Sequence, residues 1–552
     1  MRKSTKIAVV LAAAALLVAG FAFTTLAKGW VKEAEGLYYY EDEYGMKVYN
    51  EWKKDTDANG KVNYYYLGDD GYMVTDSIVE YNDEKYWVGA DGAKVTEQWI
   101  KVPADQEDID NYDVDYRWYY FQKSNGKAYK GVKKDIEGNT YFFNAEGKML
   151  FGYVNGDDFT METDVAKAYD GNSYKYFCGS NDEGKALKSE WRKETSTTDN
   201  GAYETDTSWW AFYQSNGKRA DSTLANGALW KSQRYYFDPD GKMLKGWQTA
   251  TVDTADKEDD VAYYFGGADD GKKVKKAWAY VVPQSGDDKD NETKRWFYFD
   301  NTGAALKKNG VQKINGKFYA FAAAEDNASK MLAGTVKLTF AVAADSSSIV
   351  TDATAAEKID LSKKTLDEWL AEGPNPEGLV GANYVVYYFS GDEANDGSLK
   401  KNVTFSQEFK DDTYTLAVGN DGALKDGYMK KEKKYYRYGY LLAASEDTRY
   451  EVKDVYFNGS KFALLGVAGT EVTTGTVVDA DGSYYYVVKA TATEAQKIYK
   501  AESSLLSAAK VISSFKKDGK GAKCSIDGVD YKVTVDDTKV DSIGYIILGL
   551  SQ

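Results

Sequence analysis

Short aromatic runs alternate with short polar turns along most of the chain, and one stretch shows the pattern most completely. Residues 235–247 read Tyr-Tyr-Phe-Asp-Pro-Asp-Gly-Lys-Met-Leu-Lys-Gly-Trp. The aromatic triplet is typical of a strand, and Pro239 presets the second position of a type I turn. Gly241 then supplies a left-handed residue that leads into a partner strand at 242–244. The stretch therefore predicts a β-hairpin.

Versions of this stretch recur along the chain. The aromatic runs lie at 38–40, 64–66, 86–88, 118–121, 141–143, 176–178, 212–213, 263–265, 296–299 and 318–319. A second turn signal separates copies, as in Ile136-Glu137-Gly138 and Ile314-Asn315-Gly316, and it predicts a two-residue hairpin turn. Because one such hairpin is marginal in water, its rings must pack on neighbouring hairpins. We therefore predict an all-β tandem β-hairpin solenoid of aromatic repeats over residues 28–334, with almost no helix.

The repeats resemble the cell-wall-binding repeat family, which includes choline-binding repeats, glucan-binding repeats of glucansucrases and the C-terminal repeats of large clostridial toxins. The matching features are Gly246-Trp247, the run Trp118-Tyr119-Tyr120, and the Gly-x-Met pairs that end in Met73, Met149 and Met243. The resemblance covers roughly residues 29–334 and, less completely, 384–490. Four tryptophans depart from the family spacing, because they fall seven residues after the turn glycine: Trp52, Trp99, Trp191 and Trp278. Few complete ligand sites are therefore expected.

The pattern weakens beyond about residue 335. Residues 335–383 are interpreted as a linker or insertion with a short helix at 360–373, whose apolar face carries Leu366, Trp369 and Leu370. Aromatic strands resume at 384–389, 414–418, 435–440, 456–459 and 484–488. A capping box at 491–494 predicts a helix through Lys516, and a last hairpin at 524–535 turns at Asp527-Gly528. We interpret 384–552 as degenerate repeats with a C-terminal cap or small domain.

The first 27 residues show the pattern of an export signal. Arg2, Lys3 and Lys6 precede an apolar run at 7–23, and Thr25-Leu26-Ala27 fits a cleavage site. We predict a signal peptide at 1–27, with an uncleaved N-terminal anchor as the alternative. No cysteine follows the apolar run and the C-terminus has no Leu-Pro-x-Thr-Gly motif. We therefore expect a secreted protein of a Gram-positive bacterium, held non-covalently at the cell surface.

Charge narrows the choice of partner. The formal net charge of −16 becomes −19 once the three basic residues of the signal are removed, which disfavours nucleic acid and anionic lipid. We expect no transmembrane segment after residue 27.

Acidic insertions at 105–115, 157–170, 194–206, 253–260 and 287–292 are expected to be surface loops. The stretch Asp55-x-Asp57-x-Asn59-Gly60 opens like a calcium loop but has Tyr66 where a glutamate is needed, so an ordinary turn is expected.

The sequence offers little catalytic chemistry. It contains no histidine, which removes Ser/His and Cys/His nucleophile systems, histidine-ligated zinc and histidine general bases. Cys178 and Cys524 lie in predicted strands and are interpreted as buried apolar residues, not as nucleophiles or a disulfide pair. Glycoside hydrolysis needs only two carboxylates, but no separate catalytic block is visible before residue 335. We expect no enzyme activity, cofactor or metal site.

Aromatic rings are the candidate functional groups. A ring face attracts a quaternary ammonium and also stacks on the apolar face of a sugar, although most rings must serve as core. The resemblance implies cages of Trp, Tyr and Met from consecutive repeats. The candidate ligand-binding residues are Trp247, Tyr236, Tyr235, Met243, Trp118, Trp209 and Trp296. The expected partner is a neutral cell-wall or extracellular polysaccharide, with a choline-substituted polymer as the alternative ligand. A structural or adhesive stalk without a small-molecule ligand is the alternative function.

Overall fold

The computed structural model describes residues 29–552 except 34, 57–59, 200–203, 225, 255–256, 268, 343–347, 373–382, 392–395 and 458. The predicted signal peptide lies outside the described residues. Packing divides the chain into two compact units, the first comprising Met1–Lys245 with Gly266–Lys272 and the second comprising Gly246–Phe265 with Lys273–Gln552. Within the described part, no helix is both long enough and apolar enough to cross a bilayer. The boundaries expected near residues 335 and 384 stay predictions.

The first unit consists of short antiparallel strands. Its strands are β1 (Trp30–Lys32), β2 (Tyr38–Tyr40), β3 (Glu51–Thr56), β4 (Val62–Leu67), β5 (Ser77–Tyr81), β6 (Glu84–Val88), β7 (Gln98–Pro103), β8 (Tyr116–Phe121), β9 (Val132–Ile136), β10 (Asn139–Phe143), β11 (Tyr153–Asn155), β12 (Thr160–Glu162), β13 (Tyr176–Phe177), β14 (Glu190–Asp199), β15 (Glu204–Tyr213), β16 (Ala228–Trp230) and β17 (Gln233–Tyr235). Its helices are α1 (Gln106–Tyr112) and α2 (Val165–Tyr169), with a 3-10 turn at Asp170–Asn172. Consecutive strands pair as two-stranded sheets, and β12-β11-β13 form a three-stranded one.

The second unit begins with similar hairpins and ends in larger sheets. Its strands are β18 (Gly246–Thr254), β19 (Lys257–Phe265), β20 (Ala277–Val281), β21 (Arg295–Phe299), β22 (Gly310–Ile314), β23 (Lys317–Phe321), β24 (Met331–Leu332), β25 (Gly334–Thr339), β26 (Ala355–Lys358), β27 (Tyr384–Phe389), β28 (Thr404–Glu408), β29 (Thr413–Ala417), β30 (Gly427–Met429), β31 (Lys434–Arg437), β32 (Tyr440–Leu441), β33 (Tyr450–Asp454), β34 (Phe462–Gly466), β35 (Gly475–Val478), β36 (Tyr484–Val488), β37 (Lys497–Ala501), β38 (Lys523–Ile526), β39 (Val529–Asp536) and β40 (Ile546–Ser551). Its helices are α3 (Asp287–Asp290), α4 (Leu366–Ala371), α5 (Ala508–Asp518) and α6 (Val540–Ile543), with 3-10 turns at Val350–Asp352 and Leu361–Lys363. The larger sheets have the orders β28-β29-β32-β31-β30 and β35-β36-β37-β40-β39-β38.

The two-residue turns close hairpins as predicted. Ile136 pairs with Asn139 across β9 and β10, so Glu137 and Gly138 form the turn. Both turn residues have positive φ, at 51° and 82°. This combination twists the turn in the same sense as the flanking strands. The mostly-β fold with many small hairpin sheets is therefore confirmed.

The stretch at 235–247 contains the predicted turn, but the antiparallel pairing across it is too short to form a regular hairpin. Gly241 has a φ of 84°, as expected, and its N–H donates to the Asp238 carbonyl at 3.0 Å. Residues 242–244 pair with the aromatic run through a bridge between Phe237 and Met243. The Asp238 N–H also donates to the Lys242 carbonyl at 2.9 Å, and the Leu244 N–H to the Tyr236 carbonyl at 2.8 Å, but these residues do not form a regular strand. The regular strand pairing of β17 is with β16, which precedes it in the chain. The aromatic run therefore begins in the second strand of a hairpin, as the runs at 86–88 and 141–143 do in β6 and β10.

The residue two places after a turn glycine connects successive hairpins. The N–H of Met149 donates to the Trp118 carbonyl, and that of Met243 to the Trp210 carbonyl, both at 2.8 Å. The thioether of Met149 then covers Gly184, where a Cβ atom would have no room. Met243 covers Gly271 in the same way. The Gly-x-Met pairs therefore pack one hairpin against the turn of the next.

The acidic insertions are more ordered than the expected loops. Helices α1, α2 and α3 lie in the insertions at 105–115, 157–170 and 287–292, so the expectation of almost no helix was wrong for these segments. The insertions at 194–206 and 253–260 extend the hairpins β14-β15 and β18-β19. The helices are too short to show a 3.6-residue pattern in the sequence.

Arginines hold four of the helices against the strands. Of the eight arginines in the sequence, Arg117 binds Asp108 in α1, Arg219 donates to the Ala168 carbonyl in α2, Arg295 binds Asp288 in α3, and Arg437 donates to the Leu370 carbonyl in α4. Three of these side chains, those of Arg117, Arg219 and Arg437, are almost completely buried. Tertiary hydrogen bonds thus supply part of the stability that such short helices lack by themselves.

The C-terminal region matches the sequence prediction in part. Helix α4 is present with Leu366, Trp369 and Leu370 buried, and β38-β39 turn at Asp527-Gly528 as predicted. The helix expected from residues 491–494 onward starts only at Ala508, because Ile498 is buried in strand β37 of the six-stranded sheet. The strand expected at 456–459 was wrong for the described residues 456, 457 and 459, which lie between β33 and β34.

Candidate functional site

A tryptophan occupies the same position in five hairpins. These residues are Trp52, Trp99, Trp191, Trp247 and Trp278, and each pairs directly with a Tyr or Phe of the partner strand. All five side chains are half-buried. Four of them fall seven residues after a turn glycine, which the sequence analysis treated only as a departure from the family pattern. This shared spacing is the sequence feature by which these four tryptophans can be recognised as occupying one position of the repeat.

Three of these tryptophans form clusters with a common composition, which we call the five-ring clusters. Each contains the central tryptophan, a second tryptophan and a Tyr or Phe from the partner strand, and a Tyr and a Phe from the next hairpin. The members are Trp99, Trp118, Tyr120, Tyr141 and Phe143; Trp191, Trp210, Phe212, Tyr235 and Phe237; and Trp278, Trp296, Tyr298, Tyr319 and Phe321.

The geometry of the five-ring clusters repeats closely. The two tryptophans meet edge to face, with centroids 6.5, 6.5 and 6.4 Å apart. The central tryptophan lies 4.8 Å from the tyrosine of the next hairpin in all three clusters. The phenylalanine of each cluster is buried, and its ring centroid lies 5.8, 5.8 and 5.9 Å from that of the central tryptophan. Each cluster therefore has an apolar floor and a half-exposed pair of tryptophans.

The polar groups of the clusters are neutral donors. Burial raises the pKa of Tyr120, Tyr141 and Tyr319, so their hydroxyls remain protonated at neutral pH. In one cluster the indole N–H of Trp210 donates to Asp269 at 2.8 Å. The equivalent N–H groups of Trp118 and Trp296 are buried and have no hydrogen-bond partner among the described residues. The ring members of the clusters carry no formal charge themselves, although the Nζ atoms of Lys101 and Lys193 lie 6.0 and 5.8 Å from the rings of Trp118 and Trp210.

Trp247 forms a smaller cluster in the second unit. Its ring lies 5.3, 5.0 and 5.6 Å from the rings of Tyr264, Phe297 and Phe299. Its indole N–H donates to the Val282 carbonyl at 2.8 Å. The adjoining pocket, which is also lined by Gln284, has a volume of about 10 Å³. That space holds roughly one water molecule, so this pocket is too small for a sugar ring.

Three of the predicted ligand-binding residues lie in the five-ring clusters. Trp118, Tyr235 and Trp296 belong to three different clusters, so the structure does not bring them together. Each contributes a half-buried ring. The structure thus defines the position of each residue, and a role for them in ligand binding stays a prediction.

The other four predicted residues lie outside the five-ring clusters. Met243 is buried under Gly271, and Trp209 is buried against Tyr169 with ring centroids 5.0 Å apart. Tyr236 is half-buried. Trp247 belongs to the second unit, whereas Tyr236 and Met243 belong to the first. The cage of Tyr236, Met243 and Trp247 that the family resemblance implies therefore stays a prediction.

The two cysteines are free and buried, as the sequence predicted. Burial raises the pKa of the Cys178 thiol, which lowers its reactivity at neutral pH. Among the described residues, no group of three or more His, Cys, Asp or Glu side chains is placed to hold a metal ion. The calcium-loop-like stretch includes residues 57–59, which lie outside the described part.

Comparisons with known proteins agree with the aromatic-repeat pattern. No family model matches the chain. Over 335 residues the chain is 28% identical to Glucosyltransferase-S of Streptococcus mutans serotype c, a match that covers 52% of this chain and 20% of that protein. The chain thus spans about a fifth of the length of this curated relative.

Two solved structures from Streptococcus pneumoniae are also similar. The modular autolysin LytC is 17% identical with a TM-score of 0.30, over 57% of this chain and 55% of that chain. Choline binding protein F is 17% identical with a TM-score of 0.25, over 73% of this chain and 100% of that chain. The sequence match to the glucosyltransferase confirms the predicted resemblance to cell-wall- and glucan-binding repeats.

Proposed function

We propose that this chain is an exported, non-catalytic protein that binds a cell-wall or extracellular polysaccharide through its five-ring clusters. The repeated ring geometry carries the proposal. Hydrophobic packing requires buried rings, which the phenylalanines already supply. It does not require a half-exposed tryptophan pair with the same edge-to-face arrangement in three separate hairpin pairs. The exposed part of either ring in such a pair offers an apolar face to a sugar ring.

The chemistry of the clusters favours a neutral polysaccharide. The protonated hydroxyls of Tyr120 and Tyr319 can bond sugar hydroxyls, and the ring faces can cover C–H groups. The net charge of −16 opposes a strongly anionic polymer. Similarity to a glucosyltransferase and to a choline binding protein supports a glucan or a surface polymer as the class of ligand.

Sedimentation of the full chain with insoluble α-glucan and with purified Gram-positive cell walls tests the proposal. The informative variant is Trp118→Leu combined with Trp296→Leu, because both rings are half-buried at the edges of their clusters. We expect at least a 10-fold loss of binding with little change in melting temperature. Tyr44→Leu is the matched control, since Tyr44 is 79% exposed and lies outside the clusters.

Four outcomes would contradict parts of the proposal. Unchanged binding by the double variant would exclude the five-ring clusters as the site. Release from the polymer by choline but not by oligosaccharide would show that a choline-substituted polymer is the ligand. Absence of binding to both polymers would favour the alternative, a structural or adhesive stalk. Release of reducing sugar from either polymer would contradict the non-catalytic assignment.

A further inference from the structure

The cluster around Trp52 differs from the five-ring clusters because a single ammonium group lies close to three of its rings. The Nζ atom of Lys94 is 4.4 Å from the ring centroid of Tyr64, 5.3 Å from that of Trp52 and 5.6 Å from that of Tyr86. All three distances are within the range of cation–π attraction. One ammonium is thus in contact with three aromatic rings that come from two consecutive hairpins.

Lys94 is not held by an ion pair. Within the part of the chain that the structure describes, no carboxylate lies at ion-pair distance from its Nζ atom. Neighbouring lysines behave differently, since Lys53 pairs with Glu51 at 3.0 Å and Lys85 pairs with Glu80 at 3.5 Å. Burial lowers the pKa of Lys94, because the ammonium is partly removed from water. The rings therefore supply the favourable electrostatic contact that a carboxylate supplies elsewhere.

The backbone fixes Lys94 in this position. Lys94 lies two residues after the turn residue Gly92, and its backbone N–H donates to the Tyr64 carbonyl at 2.7 Å. Its side-chain stem passes Gly126, where a Cβ atom would lie 3.1 Å from Cδ and 3.2 Å from Cε of Lys94. The stem is thus confined on one side by a turn, which directs the ammonium onto the rings.

The equivalent position carries lysine, methionine, arginine or alanine in other copies. Lys47 and Lys273 each follow a turn glycine by two residues, and their Nζ atoms lie 3.2 Å from the Tyr72 ring and 3.6 Å from the Tyr263 ring. Met243 has the same place in its copy and contributes a neutral thioether. The position therefore varies in charge and size, and its longer side chains cover aromatic or glycine surfaces.

We propose that the rings of Trp52, Tyr64 and Tyr86 form a binding site for a small organic cation, and that the chain fills this site with the ammonium of Lys94. Lys94 thereby excludes external quaternary ammonium groups from the site and determines its specificity. Removal of the side chain beyond Cβ leaves ring faces without their cation. A tetraalkylammonium ion of similar size can then restore the same contacts. The proposal does not rest on polysaccharide binding.

Variants of the full chain separate charge from shape at this site. Lys94→Ala empties it, whereas Lys94→Met fills it with a neutral side chain of similar length. Lys123→Ala is the control, because the Lys123 side chain is 78% exposed and pairs with Glu97. Each protein is titrated with tetramethylammonium chloride against sodium chloride at equal ionic strength, with tryptophan fluorescence and melting temperature as readouts.

We expect saturable binding only in Lys94→Ala, with a Kd on the order of 10 mM. Choline should bind this variant at least 10-fold more tightly than 3,3-dimethylbutan-1-ol, its uncharged analogue. Adding Tyr64→Leu to Lys94→Ala should abolish cation binding. The fold should tolerate this change because Tyr64 is 40% exposed. Equal binding by the wild type or by Lys94→Met would overturn the proposal, as would a folded Lys94→Ala that binds no cation.

A second measurement applies if Lys94→Ala does not fold. Reductive methylation of the wild type with ¹³C-formaldehyde gives each lysine a methyl resonance, and Lys94→Met identifies the one from Lys94. Ring currents from three faces should shift this resonance upfield of exposed lysines. A resonance at the position of exposed lysines would overturn the proposal. No polysaccharide is present in these assays, so their outcome is separate from that of the proposed function.

Discussion

Buried tyrosines make the stability of this protein sensitive to high pH. Tyr119 and Tyr169 are almost completely buried, and burial raises the pKa of each to about 12. In the unfolded chain a tyrosine ionises near pH 10. Between about pH 10 and pH 12 the unfolded state therefore binds fewer protons than the native state. Stability from these groups is fully present below pH 10 and is lost as the pH rises towards 12.

Tyr119→Phe tests this linkage at one residue. Removing the hydroxyl should remove its share of the alkaline destabilisation, which is about 1 kcal/mol at pH 11. Urea unfolding at pH 9 and pH 11 measures the difference for the wild type and the variant. The variant should lose less stability between the two pH values. An identical loss in both proteins would show that Tyr119 does not titrate with a raised pKa.

Gly241→Val tests the turn that follows the aromatic run. The residue has a φ of 84°, and a Cβ atom there would lie 2.7 Å from Nε of the buried Arg219 and 2.9 Å from the Ala220 carbonyl oxygen. We expect a destabilisation of about 2 kcal/mol or more, from backbone strain and this clash together. Gly267→Val is the control, since a Cβ atom at Gly267 meets open space. Equal melting temperatures for the two variants would contradict the turn assignment.

At the level of residues, the sequence predicts turn chemistry better than ring contacts. The positive φ of Gly241 and of Gly138 follows from turn preferences that depend on adjacent residues alone. The contact between Lys94 and Tyr64 joins residues of different hairpins, and it depends on how a side-chain stem passes Gly126. No local pattern encodes that path, so the filled cation site could not be predicted.

Among the elements, helix α1 depends on one buried carboxylate. Asp108 contacts Arg117 and also lies 2.8 Å from the Nζ atom of Lys148. Arg117 is buried and donates to the Met149 carbonyl at 2.9 Å. The ion pair thus joins α1 to strand β8 and to the turn region of the following hairpin. Removing one member of such a buried pair leaves the other without its counter-charge.

We expect Asp108→Ala to destabilise the protein more than Arg117→Met. The loss of Asp108 leaves Arg117 buried without a carboxylate and should cost about 3–5 kcal/mol. The loss of Arg117 leaves Asp108 paired with Lys148 and should cost less. Urea unfolding of both single variants and of the double variant measures the coupling. The double variant should lose less than the sum of the singles, and a larger cost for Arg117→Met would contradict this account.

The sequence predicts strands of this fold more reliably than its helices. Aromatic runs such as 86–88 and 141–143 coincide with strands because ring content and turn glycines act locally. Helix α1 has no apolar periodicity, and its stability comes from Asp105 at its N-terminus and from the distant Arg117. Likewise, residues 497–501 form a strand because Ile498 packs into a sheet core, which overrides the capping signal before it.

For the whole molecule, the family resemblance predicts that aromatic repeats bind a ligand but does not locate the rings. The five-ring clusters each draw residues from two consecutive hairpins, and insertions of different length separate the two strands of a hairpin. Trp99 and Tyr120 pair across an insertion that contains α1, whereas Trp278 and Tyr298 pair across one that contains α3. These rings are brought together by the register of the strands, which cannot be read directly from the sequence. The only hint in the sequence of where the clusters lie was the repeated spacing of tryptophan after the turn glycine.

Three similar clusters on one chain predict binding that depends on the length of the ligand. A short oligosaccharide fills one cluster at a time, so Trp296→Leu should reduce the number of bound ligands from three to two without changing the Kd of the remaining sites. A polymer that engages more than one cluster binds the second as an intramolecular event, which raises its apparent affinity. The same variant should therefore weaken polymer binding by about 10-fold or more. Calorimetry with the oligosaccharide and sedimentation with the polymer give the two values. If polymer affinity falls only in proportion to the number of clusters, each cluster binds a separate chain and the protein gains nothing from their repetition.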